Sequence, residues 1–392
     1  MLLTARQTAD RLGVKLDTLY AYVSRGRLQS VMVPGTRERR YRSEDVEALL
    51  GTRSGAKTPH TSEAEGSMSA IGSSICLIEG GRFYYRGQDA VRLSDRATLE
   101  DIAKLLWLDE ARSEIADPVR PGRSANPAAI SGLIERCQAR LIALADEDLA
   151  ALDLTRSQVI RTGWRILREL TSCVAPTLPG PEPIHRRLAA AWRLDEAGAD
   201  LIRRCLVLLA DHELNASTFV ARCVASTGAT PYAVATAALS ALSGDRHGGE
   251  TARAEGLLRE LLEGDDPMAV MAGRLARGER LPGFGQPLYP EGDPRATAIL
   301  AVLAQTAPEV HTLAEKAAET GQRLIGRRPN VDFALAAAAI GLGLPRSAGL
   351  GLFVLGRTVG WIAHAIEQYE SGILIRPRAR YLGPRPNEEA PA

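Results

Sequence analysis

From about residue 68 onward, the apolar residues of this chain recur at the spacing of an α-helix, and that period restricts the fold more than any other feature. ATLEDIAKLLW, QVIRTGWRILREL, DLIRRCLVLLADH, YAVATAALSALSG and ALAAAAIGLGL place apolar side chains at helical spacing or along a whole buried helix. Aromatic residues make up only 5% of the chain, and its abundant alanine and leucine favour helix over strand. The exception is SICLIEGGRFYYRG, which reads as a short hairpin turning at Gly80–Gly81. Residues 110–130 read as a polar, proline-bearing loop region. No short internal repeat is evident, which argues against a solenoid. The body is therefore expected to be all-α, a large assembly of helices stacked on a common core.

The first fifty residues follow a different plan. TARQTADRLG has a capping Thr4, an apolar stripe at Ala5, Ala9 and Leu12, and Gly13 to close the helix. VKLDTLYAYVSRGRL gives a second helix with Leu16, Leu19, Tyr20 and Val23 on one side, stopped by Gly26. In VMVPGTRERRYR the Pro34–Gly35 pair separates short runs as in a β-wing, and Ser43 caps a further helix. The arrangement resembles the winged helix-turn-helix heads of MerR-type regulators and excisionases. That resemblance puts Asp17, Thr18 and Tyr20 at the front of a recognition helix, with Arg25, Arg27, Arg37, Arg39 and Arg40 against phosphates or a groove. A small protein-docking module with solvated arginines is the other reading.

Charge separates head from body. Residues 1–60 carry 11 Lys/Arg against 6 Asp/Glu, a balance of +5, so within a net +1 the remainder sums to −4. A basic head on a mildly acidic body suggests that the head alone meets a polyanion, with DNA the candidate partner. Residues 51–67, GTRSGAKTPHTSEAEGS, have nothing to bury and read as a flexible linker. The five cysteines are scattered and never form a CxxC pair, so reduced, buried thiols are expected rather than a disulfide framework or a zinc site. The six histidines show no ligand spacing, and no metal is expected. No apolar run approaches the roughly 20 residues needed to cross a bilayer. The start lacks a signal peptide's apolar stretch, so a cytoplasmic protein without a membrane partner is expected.

The polar motifs of the body come in a definite order: DHELNAST with His212, SGDRHGGE with His247, LPGFGQPLY with Gln286, and DPRA with Arg295. RRPNVDF with Asp332, GRTVGWIAHAIEQ with Arg357 and LIRPRARYLGP with Arg376 complete the series. Together they resemble the active site of the citrate synthase family, from the hairpin near residue 75 to Tyr381. The resemblance implies a large helical domain (68–248 and 345–392) and a small one (249–344) closing on substrate, behind a winged head at 1–50. It also implies condensation of acetyl-CoA, or another short acyl-CoA, with oxaloacetate or a related 2-oxo acid. Coenzyme A enters there as substrate, and no cofactor is called for.

By that resemblance Asp332 is the base that removes the α-proton, and His247 hydrogen-bonds the thioester oxygen as the enolate forms. Arg295 and Arg357 bind the carboxylates of the oxo acid, and Arg376 reaches into a neighbouring subunit, which implies at least a dimer. His212 hydrogen-bonds oxaloacetate. Arg327 and Arg328 either meet coenzyme A phosphates or are plain surface charges. His185, His311 and His364 read as packed or surface histidines outside the site. One departure stands out: the family's GFGHPxY histidine, which protonates the attacked ketone, is Gln286 here. An amide donates a hydrogen bond but cannot transfer a proton, and a lost general acid costs about 10²–10⁴ in rate. A metabolite-sensing DNA-binding regulator with a weakened or silent catalytic fold is the alternative function.

Overall fold

The computed structural model describes residues 2–12, 14, 19, 23, 28, 30–32, 39–43, 46, 71–108, 130, 132–176, 180–264 and 266–383. It divides the chain into two compact units, Met1–Ser69 and Ala70–Ala392. In the first, β1 (Leu2–Thr4) leads directly into α1 (Ala5–Leu12), and β2 (Ser30–Met32) and β3 (Arg39–Arg42) follow. Thr4 caps α1 as its sequence implies: Oγ1 accepts the Gln7 N–H at 3.2 Å while Gln7 Oε1 accepts the Thr4 N–H at 3.0 Å. The strands form an antiparallel sheet in the order β1-β3-β2. The β2–β3 pair is the expected wing, whereas β1 was not foreseen. A core of its own, with Leu3, Ala9, Leu12, Leu19, Leu28, Tyr41 and Val46, holds this unit together.

Of the residues assigned to DNA, Arg39 is exposed and Arg40 half-buried on β3. Asp17, Thr18, Tyr20, Arg25, Arg27 and Arg37 lie outside the described residues, as do the linker at 51–67 and nearly all of the 110–130 stretch.

The second unit opens with the hairpin β4 (Cys76–Glu79) and β5 (Arg82–Tyr85), extended by β6 (Gln88–Asp89). Gly80 and Gly81 take φ of 59° and 74°, the left-handed conformations a two-residue turn requires. Among the described residues the remaining regular structure is helical: α2 (Ala90–Leu93), α3 (Leu99–Trp107), α4 (Leu133–Glu147), α5 (Arg156–Val174), α6 (Ile184–Trp192), α7 (Glu196–Leu209), α8 (Ala216–Ala225) and α9 (Pro231–Leu242). They continue with α10 (Gly249–Glu263), α11 (Pro267–Ala276), α12 (Pro294–Thr306), α13 (Pro308–Ile325), α14 (Val331–Gly341) and α15 (Ala348–Ser371). Every helical tract read from the sequence beyond residue 68 lies on one of these helices, and a single apolar core runs through them; the second and third helices read in the head fall almost wholly outside the described residues.

α15 is the axis of this unit, packed against α3, α5, α7, α8 and α9. Contrary to the expectation that no segment approaches membrane-spanning length, α15 is long and apolar enough by composition, but 94% of its apolar window is buried inside the protein. Its apolar residues serve the core. Glycines let it sit close to α7: a Cβ on Gly356 would lie 2.6 Å from Leu209 Cβ and 3.0 Å from the Leu206 carbonyl. The cysteines also need correction. Cys137 and Cys205 are buried, but Cys76, Cys173 and Cys223 are partly accessible; all five are free thiols.

Candidate active site

Helix starts place most of the polar side chains. α14 begins at Asn330, whose Oδ1 accepts the N–H groups of Asp332 and Phe333 at 3.0 and 3.4 Å. Asp332 is thereby fixed in the first turn, half-buried. Its Oδ1 accepts a hydrogen bond from Thr251 Oγ1 at 2.5 Å. Thr251 stands four residues after His247, so the contact brings acid and imidazole to the same end of α10. Burial raises the Asp332 pKa to about 6, against the opposing pull of Thr251 and Arg295.

His247 is anchored from the other side. Its Nε2 lies 2.8 Å from Ser217 Oγ, which also receives the Trp361 indole N–H at 3.2 Å. The edge of its ring meets Phe353, with centroids 5.7 Å apart. Burial, with the Arg357 charge second, lowers its pKa to about 4. The imidazole is therefore neutral at pH 7, with desolvation as the principal cause.

His212 follows α7 and is almost wholly buried, with Nε2 2.9 Å from Tyr289 Oη. Burial, then Arg295 and Arg357, hold its pKa well below the usual histidine value. Tyr289 belongs to the loop of Gln286 and lies under Arg295, whose Cζ is 5.9 Å from the ring centre. That loop is strapped to the approach to α14. Gly285 N–H reaches the Arg328 carbonyl at 2.8 Å, Asn330 N–H reaches the Gly283 carbonyl at 2.8 Å, and Gly283 N–H is held by Glu250 at 2.9 Å. Gln286 is half-buried, and its Oε1 accepts the Leu288 N–H at 3.4 Å.

The three arginines fare differently. Arg295 is buried and already paired: Nε and Nη2 grip Asp293 at 2.9 and 2.7 Å. Asp293 caps α12 and also accepts the Val331 N–H at 3.1 Å, tying the pair to the residue before Asp332. Arg357 is fully buried on α15, with Cζ 5.4 Å from the Phe353 ring centre. Its Nε donates to the Leu209 carbonyl at 3.0 Å, while Nη1 and Nη2 have no hydrogen-bond partner. Burial pulls its pKa down, opposed by the Asp211 charge. Arg376 is exposed on the segment after α15.

The structure thus gathers His212, His247, Asp332, Arg295 and Arg357, with Gln286 on the adjoining loop. Sequence reasoning missed Ser217, Thr251, Tyr289 and Asp293. Three of them lay inside motifs already singled out, NAST, GFGQPLY and the stretch ending DPRA, and Asp-Pro is itself a helix-start signal. Thr251 had none. Among the described residues, no group of three or more His, Cys, Asp or Glu side chains is arranged to hold a metal ion. His311 lies on α13, where it lines a groove of about 720 Å³ together with Glu315, Glu319 and Arg323.

Comparison with known proteins places this arrangement. Residues 66–378 match the family described as citrate synthase, C-terminal domain, and residues 2–54 match a helix-turn-helix domain family. The chain is 30% identical to the citrate synthase of Haloferax volcanii over 356 residues, covering 79% of this chain and 93% of that one. It is 38% identical to 2-methylcitrate synthase 1 of Corynebacterium glutamicum over 205 residues, 49% of this chain and 53% of the other. Among solved structures, the citrate synthase of Thermoplasma acidophilum, in ternary complex with carboxymethyl coenzyme A and oxaloacetate, superposes with a TM-score of 0.70. Its identity is 25%, with 82% of this chain and 96% of that one covered. Citrate synthase from Thermotoga maritima gives 0.69 at 26% identity, covering 83% and 97%. The chain belongs to the citrate synthase family of acyltransferases, with a helix-turn-helix domain ahead of its catalytic fold.

Proposed function

We propose that the body condenses a short acyl-CoA, acetyl-CoA first among candidates, with oxaloacetate or a related 2-oxo acid. The observation that carries this reading is Arg357: a guanidinium fully buried with both terminal nitrogens unpartnered. An unpaired buried charge is costly, and a carboxylate placed against it relieves that cost. Arg295, already neutralised by Asp293, is the weaker anion site and serves to orient as much as to bind. Asp332 takes the α-proton, and neutral His247 donates to the thioester oxygen as charge develops there. Gln286 offers the attacked ketone a hydrogen bond but no proton, so the alkoxide takes its proton from another source, water included, and turnover is slower than with a histidine. Arg376 completes the site of a second copy, which makes the working unit at least a dimer. The division into a large domain (68–248, 345–392) and a small one (249–344) puts His212 and Arg357 on one side of the cleft and Asp332, Arg295 and Gln286 on the other.

The test is release of free CoA thiol with a panel of short acyl-CoAs and 2-oxo acids at high enzyme concentration. Release that requires both substrates supports the reading, and background release with every pair removes it. A second reading, ligand-modulated DNA binding, is favoured by the helix-turn-helix match and the exposed Arg39 on β3. It predicts salt-dependent retention of duplex DNA that shifts with oxo acid or acyl-CoA. DNA affinity indifferent to every ligand would remove the regulatory part.

A further inference from the structure

Behind the site, one face of α15 carries Arg357, Gly360, His364 and Gln368, spaced three, four and four residues apart and therefore stacked along the helix. The Asp211 carboxylate from the end of α7 lies against this face. A Cβ on Gly360 would sit 2.4 Å from Asp211 Oδ2, so the missing side chain is the notch that admits it. His364 Nε2 is 3.3 Å from the same oxygen, a close electrostatic contact short of hydrogen-bond geometry; both residues are fully buried, and neither atom has a hydrogen-bond partner. Oδ1 accepts the Glu213 N–H at 3.0 Å.

The ring's far side fixes its proton. Arg222 Nη1 lies 3.3 Å from His364 Nδ1, and an arginine only donates, so Nδ1 is the acceptor and the proton rests on Nε2, facing Asp211. Arg222 is itself held by Gln368 Oε1 at 3.0 Å and Glu367 Oε2 at 2.6 Å, and Glu367 takes the Ser74 N–H and Oγ–H at 2.8 and 2.9 Å. A chain of polar contacts thus runs from Ser74 beside the hairpin to the residue preceding His212.

We infer that His364 is a positioning residue for the reaction: its Nε2–H latches Asp211 into the Gly360 notch, and Asp211 in turn holds His212 and sets the field at Arg357. Of the two readings its sequence allows, packed or surface, burial selects packed; the two groups facing its ring nitrogens give it a task. The inference rests on the assignment of His212 and Arg357 to the 2-oxo acid. It therefore predicts a loss confined to that substrate.

Replacing His364 in the full chain tests it. His364→Leu removes the donor while keeping an apolar filler, and the KM for oxaloacetate should rise about tenfold while that for acetyl-CoA stays within about twofold. His364→Gln carries an amide N–H at about the same reach and should recover most of the loss. A folded Leu variant with unchanged oxaloacetate KM would overturn the latch. So would Leu and Gln variants in which kcat falls and both KM values rise to the same extent, the mark of a merely structural role. Should the Leu variant not fold, Asp211→Asn keeps the volume and removes the charge; the same one-substrate effect is expected, and its absence overturns the inference. Wild-type turnover that does not depend on oxaloacetate would instead overturn the substrate assignment beneath it.

Discussion

At the scale of single residues, two side chains set the chemistry. Asp332 has its pKa raised to about 6 by burial, so activity should fall as pH drops through about 6 and the base becomes protonated. Linkage gives a further consequence. Between the ordinary aspartate value and 6 the folded state holds a proton that the unfolded state has released, so rising pH through that window costs stability. Asp332→Asn should therefore abolish turnover and raise stability at pH 7.5 by about 1–2 kcal/mol, allowing for its partial exposure, with no gain near pH 4. Urea titration at the two pH values checks the sign. Gln286 makes the opposite kind of statement: Gln286→His should raise kcat at least about tenfold if the rest of the site is competent. The residue types at these positions were legible in the sequence because each sits in a motif with its neighbours. The pairing of Arg295 with Asp293 was not, since nothing in DPRA says that the arginine turns back on its own helix cap. Nor was the contact between Thr251 and Asp332, which are 81 positions apart and meet only through the packing of α10 on α14.

Among the elements, α15 has the most to do. It was not among the helical tracts named from the sequence, and the period alone does not show why its glycines stand where they do. Gly356 and Gly360 let the end of α7 lie against it, and that approach delivers the Leu209 carbonyl to Arg357 Nε. Gly356→Ala should cost about 1–3 kcal/mol through overpacking, read as a lowered denaturation midpoint with an unchanged m-value. Helix positions were legible because the 3.6-residue period is a local property. Strand β1 was not, because three residues, LLT, carry no period long enough to read and gain their identity only by pairing with β3. The hairpin at Gly80–Gly81 was legible for the reverse reason: two consecutive glycines between apolar runs state the turn outright.

For the whole molecule, the separate cores of Met1–Ser69 and Ala70–Ala392 predict separable activities. A chain beginning at residue 70 should keep kcat within about twofold, since no site group lies in the head, and should lose any DNA retention with it. Filter binding and the thiol assay on the same preparation decide both. The central claim is that Asp332, His247 and Arg357, brought together from α14, the approach to α10 and α15, perform a condensation. Its most direct test is steady-state CoA thiol release by the full-length protein with acetyl-CoA and oxaloacetate, set against Asp332→Asn under the same conditions. The account predicts release that depends on both substrates and falls at least about 100-fold in the variant. Equal rates in the two proteins would contradict it.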